Sequence, residues 1–165
     1  QAFYRTYDLA SFVSNTKLAY IGDKAFANST LKKFAFDTKP KMGEKVFSRN
    51  SSITYSKGLK KAGTSIEFAK LRKKKYTIRF AKVNGATGYE VKFKSAKYKK
   101  TFTTKKNMFT KAVSKNDVNK MGITNGIEED GTWTAGTVMV RPYKVDKKKK
   151  IYGKWSTKTL VLYYE

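Results

Sequence analysis

A short internal repeat near the start of the chain constrains its fold more than any other feature of the sequence. The segment IGDKAF, which begins at Ile21, recurs 21 residues later as MGEKVF, which begins at Met42. Similarity at such a period is typical of solenoids, whose units stack on one another because each has too little apolar surface to fold alone. The sequence therefore predicts a stack of small coils in this region.

Each unit is predicted to contain one helical turn followed by a strand. Residues i and i+4 share a helix face, so the turn would direct Ile21 and Ala25 inward. In the LKKFAF segment that follows, Leu31, Phe34 and Phe36 alternate imperfectly with lysine and alanine, which predicts a strand with one buried face.

The repeat resembles the surface-antigen class of bacterial leucine-rich repeats, whose unit reads I-G-x-x-A-F, then a short loop, then L-x-x-I. The segment YIGDKAFANSTLKKFAF fits this pattern. The segment KMGEKVFSRNSSITY fits with Met42 for Ile and Val46 for Ala, as expected of a terminal copy. Upstream, Phe3 and Phe12 indicate a third, truncated copy. The resemblance implies a short leucine-rich-repeat solenoid fragment over residues 1–57.

The pattern changes after residues 58–65, which are predicted to form a linker because glycine, serine and lysine dominate them. From Ile66 onward, short runs with period-two alternation are separated by turn signals, as in an all-β sandwich. Seven strands are predicted, in the segments IEFAKL, YTIRF, GYEVKF, KTFTT, MFT, TVMVRPY and TKTLVLYY. Their inward positions are Ile66, Phe68, Ile78, Phe80, Tyr89, Val91, Phe93, Val138 and Val140.

This second half resembles the lysine-rich fibronectin type III domains of bacterial surface proteins in its segments VNGATGYEVKFK, VRPYKV and YGKWS. The resemblance implies a seven-stranded immunoglobulin-like β-sandwich over residues 66–165. An insertion at about 114–136 departs from the family. In it, Ser114 and Asp117 resemble a capping box and Gly122 suits a helix end, which predicts a helix over 115–121. Trp133 would fold back onto the sandwich.

The residue types exclude most catalytic chemistry. The chain has no histidine and no cysteine, so the usual proton shuttle and thiolate chemistry are missing. No pair of acidic residues stands out, and Glu90 is explained as a charge facing neighbouring lysines. Glu128, Glu129 and Asp130 lack the alternating oxygen ligands of a calcium loop and predict a solvated turn. We therefore expect no enzyme activity, no cofactor and no metal.

The formal net charge of the chain is +25, and most of its positive charges are lysines. Residues 1–65 contribute +8 and residues 66–165 contribute +17, and five of the 37 basic residues are arginine. Because arginine reads bases and phosphates bidentately, this bias disfavours base-specific recognition. The clusters serve either solubility or weak polyanion binding, since such a field attracts any polyanion. The predicted polyanion-binding residues are Lys73, Lys74, Lys75, Lys97, Lys99, Lys100, Lys147, Lys148, Lys149 and Lys150.

The two resemblances imply a non-catalytic bacterial surface or secreted protein that acts as an adhesion or spacer module. Its partners would be an extracellular protein or an anionic wall or host glycan, with nucleic acid bound only non-specifically. No apolar run approaches the roughly 18 residues that predict a membrane span. The alternative is a nucleic-acid-binding protein, which would require exposed aromatic rings beside the lysines. The side chains that distinguish the two are Tyr89, Phe93, Phe102 and Trp155.

Overall fold

The computed structural model describes residues 2–14, 18–72, 74–95, 97–121 and 132–163, and the chain is mainly β, as predicted. Predictions about Lys73, the acidic residues 128–130 and the Trp133 side chain lie outside the described part. The 3₁₀ turn Leu59–Lys61 and the helix α1 (Lys115–Lys120) join the strands. The strands are β1 (Ser11–Val13), β2 (Tyr20–Ile21), β3 (Lys33–Phe36), β4 (Lys41–Met42), β5 (Ser52–Tyr55), β6 (Ile66–Arg72), β7 (Lys75–Phe80), β8 (Lys82–Val83), β9 (Gly88–Lys94), β10 (Lys99–Thr104), β11 (Met108–Ala112), β12 (Thr132–Asp146), β13 (Lys149–Tyr152) and β14 (Ser156–Tyr163).

The first part of the chain forms a series of parallel coils, which we call the parallel stack (residues 2–14 and 18–57). In the sheet β1-β3-β5, Phe12 lies beside Phe34, and Phe34 lies beside Ile53. Phe26 forms a parallel bridge with Phe47, and this offset equals the 21-residue period of the sequence. Each sequence repeat is therefore one structural coil, and the segment around Phe12 is the third copy.

Aromatic rings fill the interior of the parallel stack. The ring of Phe26 stacks on that of Phe3, with centroids 5.1 Å apart, and on that of Phe47 at 6.0 Å. Phe34 packs against Phe26 at 4.9 Å and against Phe47 at 4.4 Å. Such pairs contribute about 0.5–1.5 kcal/mol each beyond the burial of their area. The coils are thus held together by a column of rings as well as by backbone hydrogen bonds.

The prediction of a helical turn over the IGDKAF segment is wrong. Residues 23–25 form a tight turn, in which Lys24 has a φ of 52°, and the equivalent Lys45 has a φ of 49°. These values lie in the left-handed region, which a right-handed α-helix does not contain. Ile21 and Ala25 are nevertheless buried as expected, since the tight turn also brings both to the interior side.

The glycine of the second copy of the motif is required by close packing between coils. A Cβ at Gly43 would lie 2.7 Å from the backbone nitrogen of Asp23 in the preceding coil. The Asp23 carboxylate occupies the same space, where its Oδ1 accepts a hydrogen bond of 2.7 Å from the backbone N–H of Glu44. At Gly22 the nearest atom would be a ring carbon of Tyr20, 3.9 Å away.

The strands β2 and β4 pair with each other in the parallel stack. From β6 onward, all strands except β8 form one sheet that curls around its own core, which we call the large sheet. The order is β10-β9-β12-β14-β6-β7-β11, with β13 paired to β12, and β14 runs parallel to β6. Phe102 and Phe109, from the two edge strands, lie 5.4 Å apart between ring centroids. Both also contact Phe93, at 5.9 and 6.0 Å. These contacts nearly close the sheet.

All seven strands predicted for this half are present, as β6, β7, β9, β10, β11, β12 and β14. The predicted inward side chains are buried, except that Phe68 is half-buried because the register shifts between Ile66 and Phe68. The helix is confirmed over Lys115–Lys120, where Ser114 Oγ accepts a hydrogen bond of 3.1 Å from Asp117 N–H. Three features of this half were not predicted: β8, β13, and the start of β12 inside the insertion.

The segment predicted as a linker is packed, in contrast to what its composition indicates. Its residues 62–65 are buried. The hydroxyl of Tyr55 donates to the carbonyl of Gly63 at 2.7 Å, and the hydroxyl of Thr64 donates to that of Ala81 at 2.5 Å. Beyond it, β8 joins the parallel stack by pairing with β5. Buried apolar side chains from both halves form one continuous cluster, while the two-domain division stays a prediction.

Candidate functional site

The predicted polyanion-binding lysines lie at two opposite ends of the large sheet. Strand β12 pairs with β9 from Tyr143 opposite Gly88 to Thr137 opposite Lys94, so the ends of β9 mark the two ends of the sheet. The six intervals between the seven residues of β9, at roughly 3.3 Å each, separate the ends by about 20 Å. The lysines near the end of β9 are Lys74, Lys75, Lys97, Lys99 and Lys100, and those near its start are Lys147, Lys148, Lys149 and Lys150; all nine are exposed.

One of these lysines already has an acidic partner. The ammonium of Lys100 lies 2.8 Å from Oδ2 of Asp117 on α1. This hydrogen bond raises the pKa of Lys100 and lowers the pKa of Asp117. At the other end, Lys150 lies with its ammonium 4.6 Å from the ring centroid of Tyr143. The β12–β13 hairpin also carries an acidic residue, Asp146, which lies opposite Lys149 in the strand pairing.

The aromatic side chains that would distinguish a nucleic-acid interface are divided between interior and surface. Tyr89 and Phe93 are buried, whereas Phe102 and Trp155 are half-buried. A stacking platform requires ring faces open to a base. The two buried rings cannot supply one.

The half-buried Trp155 is stacked on a cation of the protein itself. The guanidinium of Arg141 lies 3.8 Å from the ring centroid of Tyr152 and 4.3 Å from that of Trp155. The same guanidinium pairs with Glu90 at 3.2 Å, so Glu90 balances arginine rather than the lysines that the sequence indicates. This arrangement fixes the two rings around Arg141 and leaves less aromatic face for a ligand.

Two cavities lie where the parallel stack meets the large sheet, and we call them together the seam groove. The larger has a volume of about 460 Å³ and the smaller about 240 Å³. Lys158 of β14 lines both, and its ammonium forms an ion pair with Glu44 of the parallel stack. The cavities are further lined by five cations, Lys39 and Lys41 in the smaller one and Lys45, Arg49 and Lys70 in the larger one.

Glu67 is the one acidic residue among those that line the larger cavity. Burial raises the pKa of its carboxyl group, against the opposing effect of nearby cations, of which Arg79 is the strongest and Arg49 the next. Its Oε1 is buried without a hydrogen-bond partner among the described residues. Burial of this oxygen disfavours the ionised form of the carboxyl group, in agreement with the raised pKa.

The chain matches no protein-family model, and searches of curated proteins and of solved structures found no significant match. Among the described residues, no three or more acidic, histidine or cysteine side chains come close enough to hold a metal ion. Within the same ranges, no helix has the length and the apolar character needed to cross a membrane.

Sequence reasoning missed the seam groove because its lining comes from distant parts of the chain. Residues from Ala27 in the parallel stack and from Val161 in the last strand line the same cavity. One local signal was available: Glu67 is an acidic residue in a strand that otherwise carries lysine and arginine at its polar positions. None of the nine predicted lysines that the structure describes lines either cavity.

Proposed function

We propose that this chain is a non-catalytic module of a bacterial cell-surface or secreted protein that binds anionic partners. Its architecture would be a leucine-rich-repeat-like stack joined to a fibronectin type III-like sandwich. Support comes from the 21-residue parallel offsets in the stack. Further support comes from the strand order of the large sheet, in which the parallel pair β14–β6 joins a group of four strands, β10-β9-β12-β14, to a group of three, β6-β7-β11.

The observation that carries the proposal is the exposure of basic groups on a single packed body. The nine described lysines of the predicted clusters are exposed at both ends of the large sheet. A continuous apolar cluster includes side chains of both the parallel stack and the large sheet that carries these ends. An exposed basic surface attracts polyanions through its field.

The partners we propose are an extracellular protein or an anionic glycan of the wall or host, with nucleic acid bound only non-specifically. The lack of histidine and cysteine in the whole sequence favours binding over catalysis. The nucleic-acid alternative receives less support because Tyr89 and Phe93 are buried and Trp155 stacks on Arg141.

Binding of the purified chain to immobilised polymers tests this proposal. A wall polyanion, a sulfated glycan and two unrelated DNA duplexes would be compared at low and at physiological ionic strength. We expect all four to bind at low salt with similar affinity and to release together as salt rises. Tight binding of one DNA sequence over the other would support the alternative, and no binding to any polymer at low salt would overturn the proposal.

A further inference from the structure

The smaller cavity of the seam groove holds positive charge that the protein itself does not neutralise. Three lysines, Lys39, Lys41 and Lys158, line it together with one acidic residue, Glu44. Glu44 pairs with Lys158, and the described residues provide no ion pair for Lys39 or Lys41. The cavity therefore keeps two uncompensated positive charges, whose field is stronger in a concave site than on an open turn.

The packed segment 61–63 fixes Lys39 in this cavity. The backbone N–H of Lys39 donates to the carbonyl of Lys61 at 3.0 Å. Its side chain is half-buried and crosses Gly63, where a Cβ would lie 2.6 Å from Cε of Lys39. Because glycine has no side chain, the stem of Lys39 can lie against the backbone at this point. The ammonium group at the end of the stem is not sealed from solvent and can contact a ligand in the cavity.

Lys154 places a second cation next to Lys39. The backbone N–H of Lys154 donates to the carbonyl of Ala62 at 2.7 Å, so adjacent residues of one segment hold the backbones of both lysines. Burial lowers the pKa of Lys39, and repulsion by the charge of Lys154 lowers it further. Both effects disfavour the charged ammonium group, and an anion in the cavity would offset them. An anionic ligand would therefore relieve a repulsion that the fold itself creates.

We propose that the smaller cavity binds a doubly charged phosphate group, whose oxygens accept hydrogen bonds from the ammonium groups of Lys39 and Lys41. Lysine binds phosphate as a compact point charge that carries three donors. Two negative charges match the two uncompensated positive charges, whereas a carboxylate supplies one. The volume of about 240 Å³ suits a single small group, since cavities for larger ligands measure about 300–1,000 Å³.

The inference goes beyond the proposed function, because this site is separate from the exposed lysines at the ends of the large sheet. Two sources supply a doubly charged phosphate group at neutral or higher pH. One is the free phosphate ion, and the other is a terminal phosphate on a larger molecule, whose second pKa is about 6. Internal phosphodiesters, such as those of nucleic acids, carry one charge each and match the cavity less well.

Calorimetric titration of the whole chain with sodium phosphate, at pH 8 and constant ionic strength, tests the inference. We expect saturable binding that Lys39→Met weakens about tenfold, the equivalent of one charge-assisted hydrogen bond. Methionine keeps an apolar stem against Gly63, and Lys41→Met, at an exposed position, is a second variant that should also weaken binding. The matched control is Lys148→Met in the β12–β13 turn, which removes the same charge elsewhere and should leave the affinity unchanged.

Two phosphate esters test the charge of the ligand and identify its source. Glycerol phosphate carries two negative charges and dimethyl phosphate carries one, so we expect dimethyl phosphate to bind about tenfold more weakly. Tighter binding of glycerol phosphate than of the free ion would identify a terminal phosphate of a larger molecule as the ligand. The reverse order would identify the free ion.

Equal affinities of Lys39→Met and Lys148→Met for phosphate would overturn the inference, because binding would then depend only on net charge. Equal binding of the two esters would also overturn it. If sodium phosphate does not bind while anionic polymers still bind at low salt, the inference fails and the proposed function stands. If phosphate binds through Lys39 and no polymer binds, the proposed function fails and the inference stands.

Discussion

Ile53 of β5 and Val83 of β8 lie side by side as a parallel pair, 30 positions apart in the sequence. This pair adds a strand from the second half of the chain to the sheet of the parallel stack. Ile53 is fully buried, and Val83 N–H, next to it in the same pairing region, donates to the hydroxyl of Tyr89 at 2.7 Å. Backbone pairing and buried side chains therefore join the two halves of the chain at this junction.

Removing apolar volume at this junction should destabilise the whole molecule in one step. Ile53→Ala is expected to lower the free energy of unfolding by about 2–5 kcal/mol, because it leaves a cavity in a fully buried site. Urea denaturation followed by tryptophan fluorescence and by far-ultraviolet circular dichroism should give coincident transitions. Val13→Ala, at a position that is 60% exposed, is the control and should change stability little. Two separate transitions would contradict the coupling.

The two motif glycines should differ in their tolerance of a methyl group. Gly43→Ala places a Cβ 2.7 Å from the Asp23 backbone nitrogen, so the coils must separate, at a cost of about 1–3 kcal/mol. Gly22→Ala places its Cβ no closer than 3.9 Å to any neighbour outside its adjacent residues and is the matched control. Thermal unfolding of both variants makes the comparison. An equal effect of the two changes would show that contact between coils is not the cause.

A buried serine network should also stabilise the parallel stack. Ser48 Oγ accepts a hydrogen bond from Ser29 N–H at 3.0 Å and lies within donating distance of the Phe26 and Ser29 carbonyls, at 2.9 and 2.7 Å. Ser48→Ala leaves the buried N–H unpaired, which costs about 1–3 kcal/mol. Ser52→Ala, which removes one long hydrogen bond of 3.3 Å to Lys32, should cost much less in the same denaturation assay. A larger loss from Ser52→Ala would refute the role of the network.

Glu67 should make stability depend on pH. Burial raises the pKa of its carboxyl in the folded chain above the unfolded value of about 4.3. The protonated Glu67 carboxyl therefore makes its full contribution to the free energy of unfolding below about pH 4. This contribution is lost as pH rises through the folded-state pKa, because the buried group must then carry a charge. Glu67→Gln should be more stable than the natural chain at pH 7, and the difference should vanish in acid. Denaturation midpoints between pH 3 and 8 measure this, and a difference of the opposite sign would contradict it.

The sequence predicted the elements whose signals are local. Period-two alternation located strands such as Gly88–Lys94, and the Ser114 cap located α1. It failed at IGDKAF because apolar spacing alone does not distinguish a helical turn from a turn with Lys24 at positive φ. It misjudged residues 58–65 because small side chains occur both in linkers and where backbones pack closely. The sequence did not predict the seam groove, because Glu44 and Lys158 are distant along the chain and come together only when it folds.

The final prediction concerns the lysines at the tip of the β12–β13 turn. Replacing Lys147, Lys148, Lys149 and Lys150 with serine should weaken binding to a short DNA duplex and to a sulfated glycan, without altering the fold. These side chains are exposed and contribute little to the core. Each phosphate contact that is lost should flatten the slope of log affinity against log salt by about 0.9 for duplex DNA, because fewer counterions are released.

A matched variant at the opposite end of the large sheet tests whether binding depends on the position of the lysines or only on the total charge of the chain. Replacing Lys74, Lys75, Lys97 and Lys99 with serine removes the same number of charges from a region about 20 Å away. Because the two groups lie at opposite ends of the large sheet, we expect each to bind a duplex by itself. Each variant should therefore remove one mode of binding, and the combined variant should remove both. Circular dichroism checks that all three remain folded. Salt-insensitive binding, or strong preference for one of two unrelated DNA sequences, would instead favour a dedicated nucleic-acid site, since a diffuse field of lysines distinguishes neither sequence nor shape.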